Sequence, residues 1–220
     1  LTGTLTGTPA DANVGDTAVV ITATDGDGGA DTDSFTITVT NINDVGSVAL
    51  SGTFTEDQVI TATVTDDDND GSSDTYAYAW YSSSDLSSWS SIGSDSSTYT
   101  LTQSEVGKYV KVSASYTDDD GTVESHSDTH LTTVANVNDA GTGLSLASDG
   151  TVADPEEDDE LSVTGTLADE DGVSGASPTY VWKRAGTAIS GATSSSYTLV
   201  QADVSTIISV VISYTDDESE

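Results

Sequence analysis

Tyr109-Val110-Lys111-Val112-Ser113-Ala114-Ser115-Tyr116-Thr117-Asp118 decides the reading of this chain. Val110, Val112, Ala114 and Tyr116 fall on one side of an extended backbone, and Lys111, Ser113 and Ser115 on the other. That period of two marks a half-buried strand. The pattern returns as Ile208, Val210, Ile212 and Tyr214, again followed by paired aspartates, Asp216-Asp217. Other segments repeat with it. Tyr78-Ala79-Trp80 matches Tyr180-Val181-Trp182, and Ser97-Thr98-Tyr99-Thr100-Leu101-Thr102-Gln103 matches Ser195-Ser196-Tyr197-Thr198-Leu199-Val200-Gln201. A repeat this long indicates whole domains in series rather than a solenoid of short units.

Nearly every patterned stretch reads as strand. Thr and Ser on the outer faces suit a pleated surface in water, and Gly-Asp and Gly-Ser clusters divide the strands. No stretch predicts an amphipathic helix; Gln103-Ser104-Glu105-Val106 forms at most a turn. Trp80 and Trp182 are expected as core anchors of two-sheet sandwiches, while Trp89 lies in a Ser-rich stretch. The expected division is residues 1–44 as the last strands of one domain, 45–139 as a complete domain, and 140–220 as a third domain one strand short. Val19-Val20-Ile21-Thr22-Ala23-Thr24-Asp25 plays the role of Val112 to Asp118. The chain then reads as a window on a longer array, with strand exchange between neighbouring chains as the alternative way to complete the end domains.

Composition narrows the function. Four basic residues face 38 acidic ones, a net charge of −34. A nucleic-acid partner is excluded, because phosphate binding needs a cationic surface, and an anionic membrane surface is disfavoured for the same reason. Such a charge opposes compaction unless counter-ions reduce it. Acidic excess also accompanies disorder, but Tyr, Val and Ile recur here at strand spacing. Cys is absent, so no disulfide framework or thiol chemistry is available. No run approaches the ~20 apolar residues of a membrane span. Leu1-Thr2-Gly3-Thr4 has neither the basic start nor the apolar segment of a signal peptide, so a targeting signal is expected outside this sequence.

Two linkers carry the chemistry. Asn41-Ile42-Asn43-Asp44 closes the alternating run of Phe35, Ile37 and Val39, and Asn136-Val137-Asn138-Asp139 follows Thr132 and Val134. Each is followed by an aspartate-rich loop, Asp66-Asp67-Asp68 or Asp169-Glu170-Asp171. At these residues the chain resembles bacterial cadherin-like and immunoglobulin-like tandem repeats of large secreted adhesins. The cadherin pattern V-x-I-x-V-D-x-N-D-N resembles Phe35-Thr36-Ile37-Thr38-Val39-Thr40-Asn41-Ile42-Asn43-Asp44, and Ile21-Thr22-Ala23-Thr24-Asp25 resembles its V-x-A-x-D strand. Glu56, with Asp159 or Glu160 in the third domain, resembles its early acidic residue. The linker begins with Asn rather than Asp, Val45 and Ala140 replace the final Asn, and Gln103-Ser104-Glu105 stands for D-x-E. Glu105-x-Gly107-x-Tyr109 resembles the immunoglobulin family, with Lys111 at its buried Cys position. The resemblance implies an all-β chain of tandem Greek-key β-sandwich domains in a linear array.

Ca²⁺ takes about 6–8 oxygen ligands, more than one loop readily supplies, and a domain junction can gather them from three places. For the second junction the expected ligands are Glu56 and Glu105 before the linker, Asn136, Asn138 and Asp139 within it, and Asp169, Asp171 and Asp216 after it. Their six carboxylates balance about three divalent ions at most. The first junction is expected to use Asn41, Asn43, Asp44, Asp66, Asp68 and Asp118, with Asp11 or Asn13 upstream. The competing reading is that these are solvated turn residues, since Asp, Asn and Gly favour turns.

Other motifs carry less. Asp66-Asp67-Asp68-Asn69-Asp70-Gly71 begins like an EF-hand loop, but Ala77 stands where the bidentate Glu is required. His126 and His130 have helical metal-pair spacing, yet in a strand four residues span roughly 13 Å. No G-x-S-x-G elbow or phosphate-cradling loop is present. The expected function is non-enzymatic: a calcium-stiffened extender of a bacterial extracellular surface protein, with calcium and neighbouring repeats as partners and no membrane insertion. The alternatives are a self-assembling surface filament or sheath, built by association with other copies, and a carbohydrate-binding module using Trp89, Tyr81 and Tyr76.

Overall fold

The computed structural model describes residues 4, 6–69, 75–119, 121–150 and 154–218, without the side chain of Asp11. Asp70 and Gly71 of the EF-hand-like loop lie outside them. The described residues form strands and short 3-10 turns, with no α-helix.

Two compact units emerge. The first comprises Leu1–Phe54, Gln58–Leu101 and Gly107–Val134; the second comprises Thr55–Asp57, Thr102–Val106 and Ala135–Glu220. The first begins with the hairpin of β1 (Gly15–Thr24) and β2 (Ala30–Val39), paired from Gly15–Val39 to Thr24–Ala30. Its turn is pinned by Asp25, whose Oδ1 accepts the N–H of Asp27 at 3.0 Å and of Gly29 at 2.7 Å.

A sandwich follows in the same unit. Its smaller sheet has the order β3-β4-β7 (Ser47–Gly52, Val59–Thr65, Thr98–Thr100). Its larger sheet has the order β6-β5-β8-β9 (Ser90–Ser94, Ala77–Ser83, Tyr109–Thr117, Val123–His130). The larger order is that of the C′-C-F-G sheet of an immunoglobulin sandwich. Trp80 on β5 is fully buried with Ile60, Leu101, Val110, Val112 and Ala114, and its indole N–H donates to Ser96 O at 2.8 Å. A buried Trp on the third strand, with its polar atom satisfied, anchors both sheets. The alternation along β8 holds residue by residue: Val110, Val112, Ala114 and Tyr116 are buried. Lys111 points away from that core and lies over the rings of Trp89 and Tyr81, 4.3 and 5.1 Å from their centroids.

The second unit holds the other sandwich, with sheets β10-β11-β14 (Thr142–Ser148, Glu160–Ala168, Ser196–Thr198) and β13-β12-β15 (Thr187–Ala188, Thr179–Arg184, Ile208–Ser213). Trp182 repeats Trp80, fully buried and donating to Ser194 O at 2.9 Å. Register aligns the two sandwiches: Ile60 lies opposite Tyr99, and Leu161 opposite Tyr197. That alignment makes Glu157, rather than Asp159 or Glu160, the counterpart of Glu56. The neighbours Asp57 and Asp158 share a left-handed backbone, φ 62° and 73°. One difference is topological: β8 pairs with both β5 and β9, whereas among the described residues β15 pairs with β12 alone.

Candidate metal centres

Side chains and backbone amides of the linker, the D-x-D loop and the β8–β9 turn build the first centre. The linker after β2 returns Asp44 to the D-x-D loop, where its N–H donates to Asp68 Oδ2 at 2.5 Å. Asn41 Nδ2 donates to Asp68 Oδ1 at 3.0 Å, and the Asp68 N–H donates to Asp66 Oδ1 at 3.0 Å. Tyr116, the last buried residue of β8, reaches the same loop with its hydroxyl, which donates to Asp66 Oδ2 at 2.5 Å. Two residues on, Asp118 Oδ1 accepts the Thr122 N–H at 2.7 Å and closes the β8–β9 turn.

The other Asp118 oxygen, Oδ2, is buried without a hydrogen-bond partner. Asp66, Asp118 and Glu124 each bring a carboxylate oxygen within 4.8 Å of the others'. Glu124, on β9, accepts from Asn43 Nδ2 at 2.9 Å and contacts His126. The Asn43 hydrogen bond and the His126 contact hold its carboxyl below the usual range. His126 is thus bound to the acidic cluster, and His130 stacks on Phe54 with centroids 3.4 Å apart, so neither is a bare surface residue.

The second unit repeats the core of this arrangement. The Asp139 N–H donates to Asp171 Oδ2 at 2.7 Å, and the Asp171 N–H to Asp169 Oδ1 at 3.1 Å. The Tyr214 hydroxyl donates to Asp169 Oδ2. Asp171 is 2% exposed and its Oδ1 has no hydrogen-bond partner; Asp216 Oδ1 is likewise buried and unpartnered. Leaving a buried carboxylate oxygen unmatched costs on the order of 1–3 kcal/mol, which a cation at that point would offset.

Here the closing residues come from segments 55–57 and 102–106. Glu56, 1% exposed, accepts the Val137 N–H at 3.3 Å, and the Glu56 N–H donates to Ala135 O at 2.9 Å. Glu56, Asp139 and Glu170 bring carboxylate oxygens within 4.8 Å of one another. The Gln103 amide lies 2.8 and 2.9 Å from the two Glu56 oxygens and 3.2 Å from Asn136 Oδ1. Turned nitrogen-first it donates to all three; turned oxygen-first it adds a fourth residue's oxygen to a cation cage. Burial, reinforced by Asp139, Asp57 and Asp171, pushes the Glu56 carboxyl up despite the Val137 hydrogen bond. Burial and Asp171 push Asp139 up as well. Both shifts arise first from burial and then from the neighbouring carboxylates.

Among the residues read from sequence, Asn41, Asn43, Asp44, Asp66, Asp68 and Asp118 share one network. Asp139, Asp169 and Asp171 share another, joined by Glu56 and, through Gln103, Asn136. Asn138 donates to Asp139 O at 2.9 Å, a linker turn that Asn43 repeats at 3.0 Å to Asp44 O. Glu105 is 3% exposed, but its Oε2 accepts the Thr102 N–H at 3.1 Å and the Thr102 hydroxyl at 2.9 Å, capping the 3-10 turn Gln103–Glu105. Asn13 caps its own turn by accepting the Ala10 N–H at 3.0 Å. Sequence reasoning passed over Glu124, Glu170, Gln103, Tyr116 and Tyr214. Tyr116 and Tyr214 were visible as a repeated Ser-Tyr-Thr-Asp, and Glu170 as the middle of Asp-Glu-Asp.

Every donor is oxygen, mostly carboxylate, with no thiol. That set fits a hard cation such as Ca²⁺ and not a soft one. The cation itself would supply positive charge and vacant coordination positions to these residues.

Comparison with known proteins gives one family match and several structural ones. The family described as "Putative Ig domain" matches residues 1–40. No curated protein matches the chain. Two solved structures align with it. One concerns host cell surface retention of a 1.5-MDa bacterial ice-binding adhesin, at 13% identity and a TM-score of 0.31, covering 92% of this chain and 64% of that one. The other concerns a Ca²⁺-stabilized adhesin that helps an Antarctic bacterium reach out and bind ice, at 11% identity and a TM-score of 0.31, covering 92% and 56%. The chain therefore spans less than two thirds of either. It is an all-β chain of immunoglobulin-like repeats.

Proposed function

We propose that this chain is an extender segment of a large bacterial surface adhesin, and that calcium stiffens it at the linkers Asn41–Asp44 and Asn136–Asp139. The domain boundaries at 44/45 and 139/140 belong to the same proposal. The observation that carries it is the repetition of one network. In each unit a linker amide is bound to the second aspartate of a D-x-D loop, and the aspartate two residues after the strand tyrosine keeps a buried carboxylate oxygen with no hydrogen-bond partner (Asp118 Oδ2, Asp216 Oδ1). A turn that merely satisfied itself would not leave that oxygen bare twice.

Asp66, Asp68, Asp118 and Glu124 would hold the cation in the first unit, and Glu56, Asp139, Glu170 and Asp171 in the second. With it bound, carboxylates that repel one another become a crosslink between linker and loop, and the linker loses its freedom to swing. The net charge of −34 then becomes compatible with a compact array. Extracellular modules of this kind work at millimolar calcium. A carbohydrate site finds less support, since Lys111 covers Trp89 and Tyr81, and Tyr76 packs on Tyr116 with centroids 5.2 Å apart.

The test is small-angle scattering and thermal melting in millimolar calcium and in EDTA. Calcium at 100 times its dissociation constant stabilises by about 2.7 kcal/mol per site, which raises Tm by several degrees in domains of this size. Chelation is expected to lower Tm and increase the radius of gyration. Identical curves in the two buffers would remove calcium from the account.

A further inference from the structure

In both units a tyrosine hydroxyl is hydrogen-bonded to the first aspartate of the D-x-D loop, and in both a glycine makes room for it. A β-carbon on Gly46 would overlap the Tyr116 hydroxyl and lie 2.8 Å from Asp66 Oδ2. One on Gly141 would overlap the Tyr214 hydroxyl and lie 2.6 Å from its ring carbon Cζ. Neither glycine has a positive φ, so the backbone does not demand glycine there; space does. Gly46 and Gly141 each sit two residues after the linker aspartate, in Asn43-Asp44-Val45-Gly46 and Asn138-Asp139-Ala140-Gly141. The motif is therefore longer than N-x-N-D: it is N-x-N-D-x-G, completed by D-x-D and Y-x-D.

The hydroxyl has a particular chemical merit. The first aspartate of each D-x-D receives a backbone N–H on Oδ1 and the tyrosine O–H on Oδ2. Both donors fix the plane of the carboxylate without bringing positive charge. A lysine or arginine at that point would fix it equally well and then compete with a cation for the same oxygens. We infer that Tyr116 and Tyr214 are positioning residues for the two cation centres, holding Asp66 and Asp169 in a fixed plane; the aspartate two residues beyond each tyrosine keeps a buried, unpartnered oxygen, Asp118 Oδ2 or Asp216 Oδ1, and in the first unit Asp118 belongs to the same carboxylate cluster as Asp66. The inference rests on the calcium reading above.

Tyr116→Phe and Tyr214→Phe, made separately in the 220-residue chain, test it. Each leaves the other centre intact as an internal control. Calcium titrated by calorimetry is expected to show one class of sites weakened about 10–100-fold in each variant, the range found for residues that orient metal ligands, with the other class unchanged. Terbium in place of calcium gives a second readout: titrated by tyrosine-sensitised emission, each variant is expected to fill one centre only at higher terbium concentration than the wild type. Melting in EDTA separates positioning from plain packing, since a packing role lowers that Tm and leaves calcium affinity alone. Unchanged affinity in both variants, with the wild type binding calcium, overturns the inference and spares the calcium reading. A wild-type chain that takes up no calcium overturns both.

Discussion

Two capped turns of the second unit, Gln103–Glu105 and Gln201–Asp203, start from the same sequence plan and end in different chemistry. In each, a buried carboxylate three residues after the preceding extended residue accepts that residue's N–H: Glu105 from Thr102 at 3.1 Å, Asp203 from Val200 at 2.9 Å. Around Asp203 the protein supplies its own cation. Arg184 Nε donates to Oδ1 at 2.5 Å, and Tyr197 donates to Oδ2 at 2.8 Å. Around Glu105 no arginine takes part: the other partner of its carboxylate is the neutral Thr102 hydroxyl, at 2.9 Å. Trp80 and Trp182 align, so Arg184 stands where the other repeat has Ser82. The comparison teaches that the same capped turn can be closed by a guanidinium or by a neutral hydroxyl alone.

Removing Arg184 should have the largest effect. Arg184→Ala leaves the buried Asp203 without its partner, and loss of one member of a buried pair costs about 3–5 kcal/mol. Arg184 is 30% exposed, so solvent screening makes the loss smaller than for a fully buried pair. Urea denaturation in EDTA should show it, and Arg184→Lys should recover only part, since lysine lacks the planar fork. If Arg184→Ala melts like the wild type, the two turns are not chemically distinct.

Thr102→Ala probes the other side of the comparison. It removes the capping hydroxyl beside Glu105 and should cost about 1 kcal/mol. The loss should be larger in EDTA than in calcium, because a bound ion would hold the same region by a second route. An equal loss in both buffers would separate the Glu105 turn from the calcium centre.

Glu56→Gln should give the smallest effect and a change of sign in an informative direction. Glu56 binds its proton more tightly when folded, so its contribution to stability is present at low pH and is lost as pH climbs from the ordinary glutamate value through the raised one. In EDTA at pH 7 the variant should therefore melt above the wild type, with the gap closing as pH falls toward 4.5. In calcium the order should reverse, because the variant lacks a ligand oxygen charge. A wild type that is the more stable in EDTA at pH 7 would show that Glu56 is already compensated within the chain.

The fold was largely legible because its signals are local. Val110, Val112, Ala114 and Tyr116 alternate over contiguous residues, and Trp80 and Trp182 sit in matching Tyr-x-Trp contexts. The linker and loop aspartates were legible because each recurs in a fixed order. What escaped was set by register between strands. Glu124 joins Asp66 and Asp118 only because β8 and β9 pair Tyr116 with Glu124. The equivalence of Glu56 to Glu157 likewise needs the pairing of Ile60 with Tyr99 and Leu161 with Tyr197. Glu170 escaped for a different reason: the D-x-D pattern singles out its first and third residues, and the loop brings its middle residue to Glu56 and Asp139. The tyrosines read as inward-facing strand residues, and the bonds of their hydroxyls to Asp66 and Asp169 depend on where the D-x-D loop lies.

The glycine beside each linker has a consequence for how such a protein could lengthen. From Asn41 to Asp118, and again from Asn136 to Asp216, one continuous stretch encodes the linker aspartate, the space-making glycine, the D-x-D loop and the tyrosine that grips it. A gene duplication that copies one such stretch copies lock and key together. Unequal crossing-over inside the stretch would splice a tyrosine from one copy onto a glycine from another, and the copies need only agree at those positions. Reach could then be inherited as a count of modules, adjustable in evolution without redesigning a single joint.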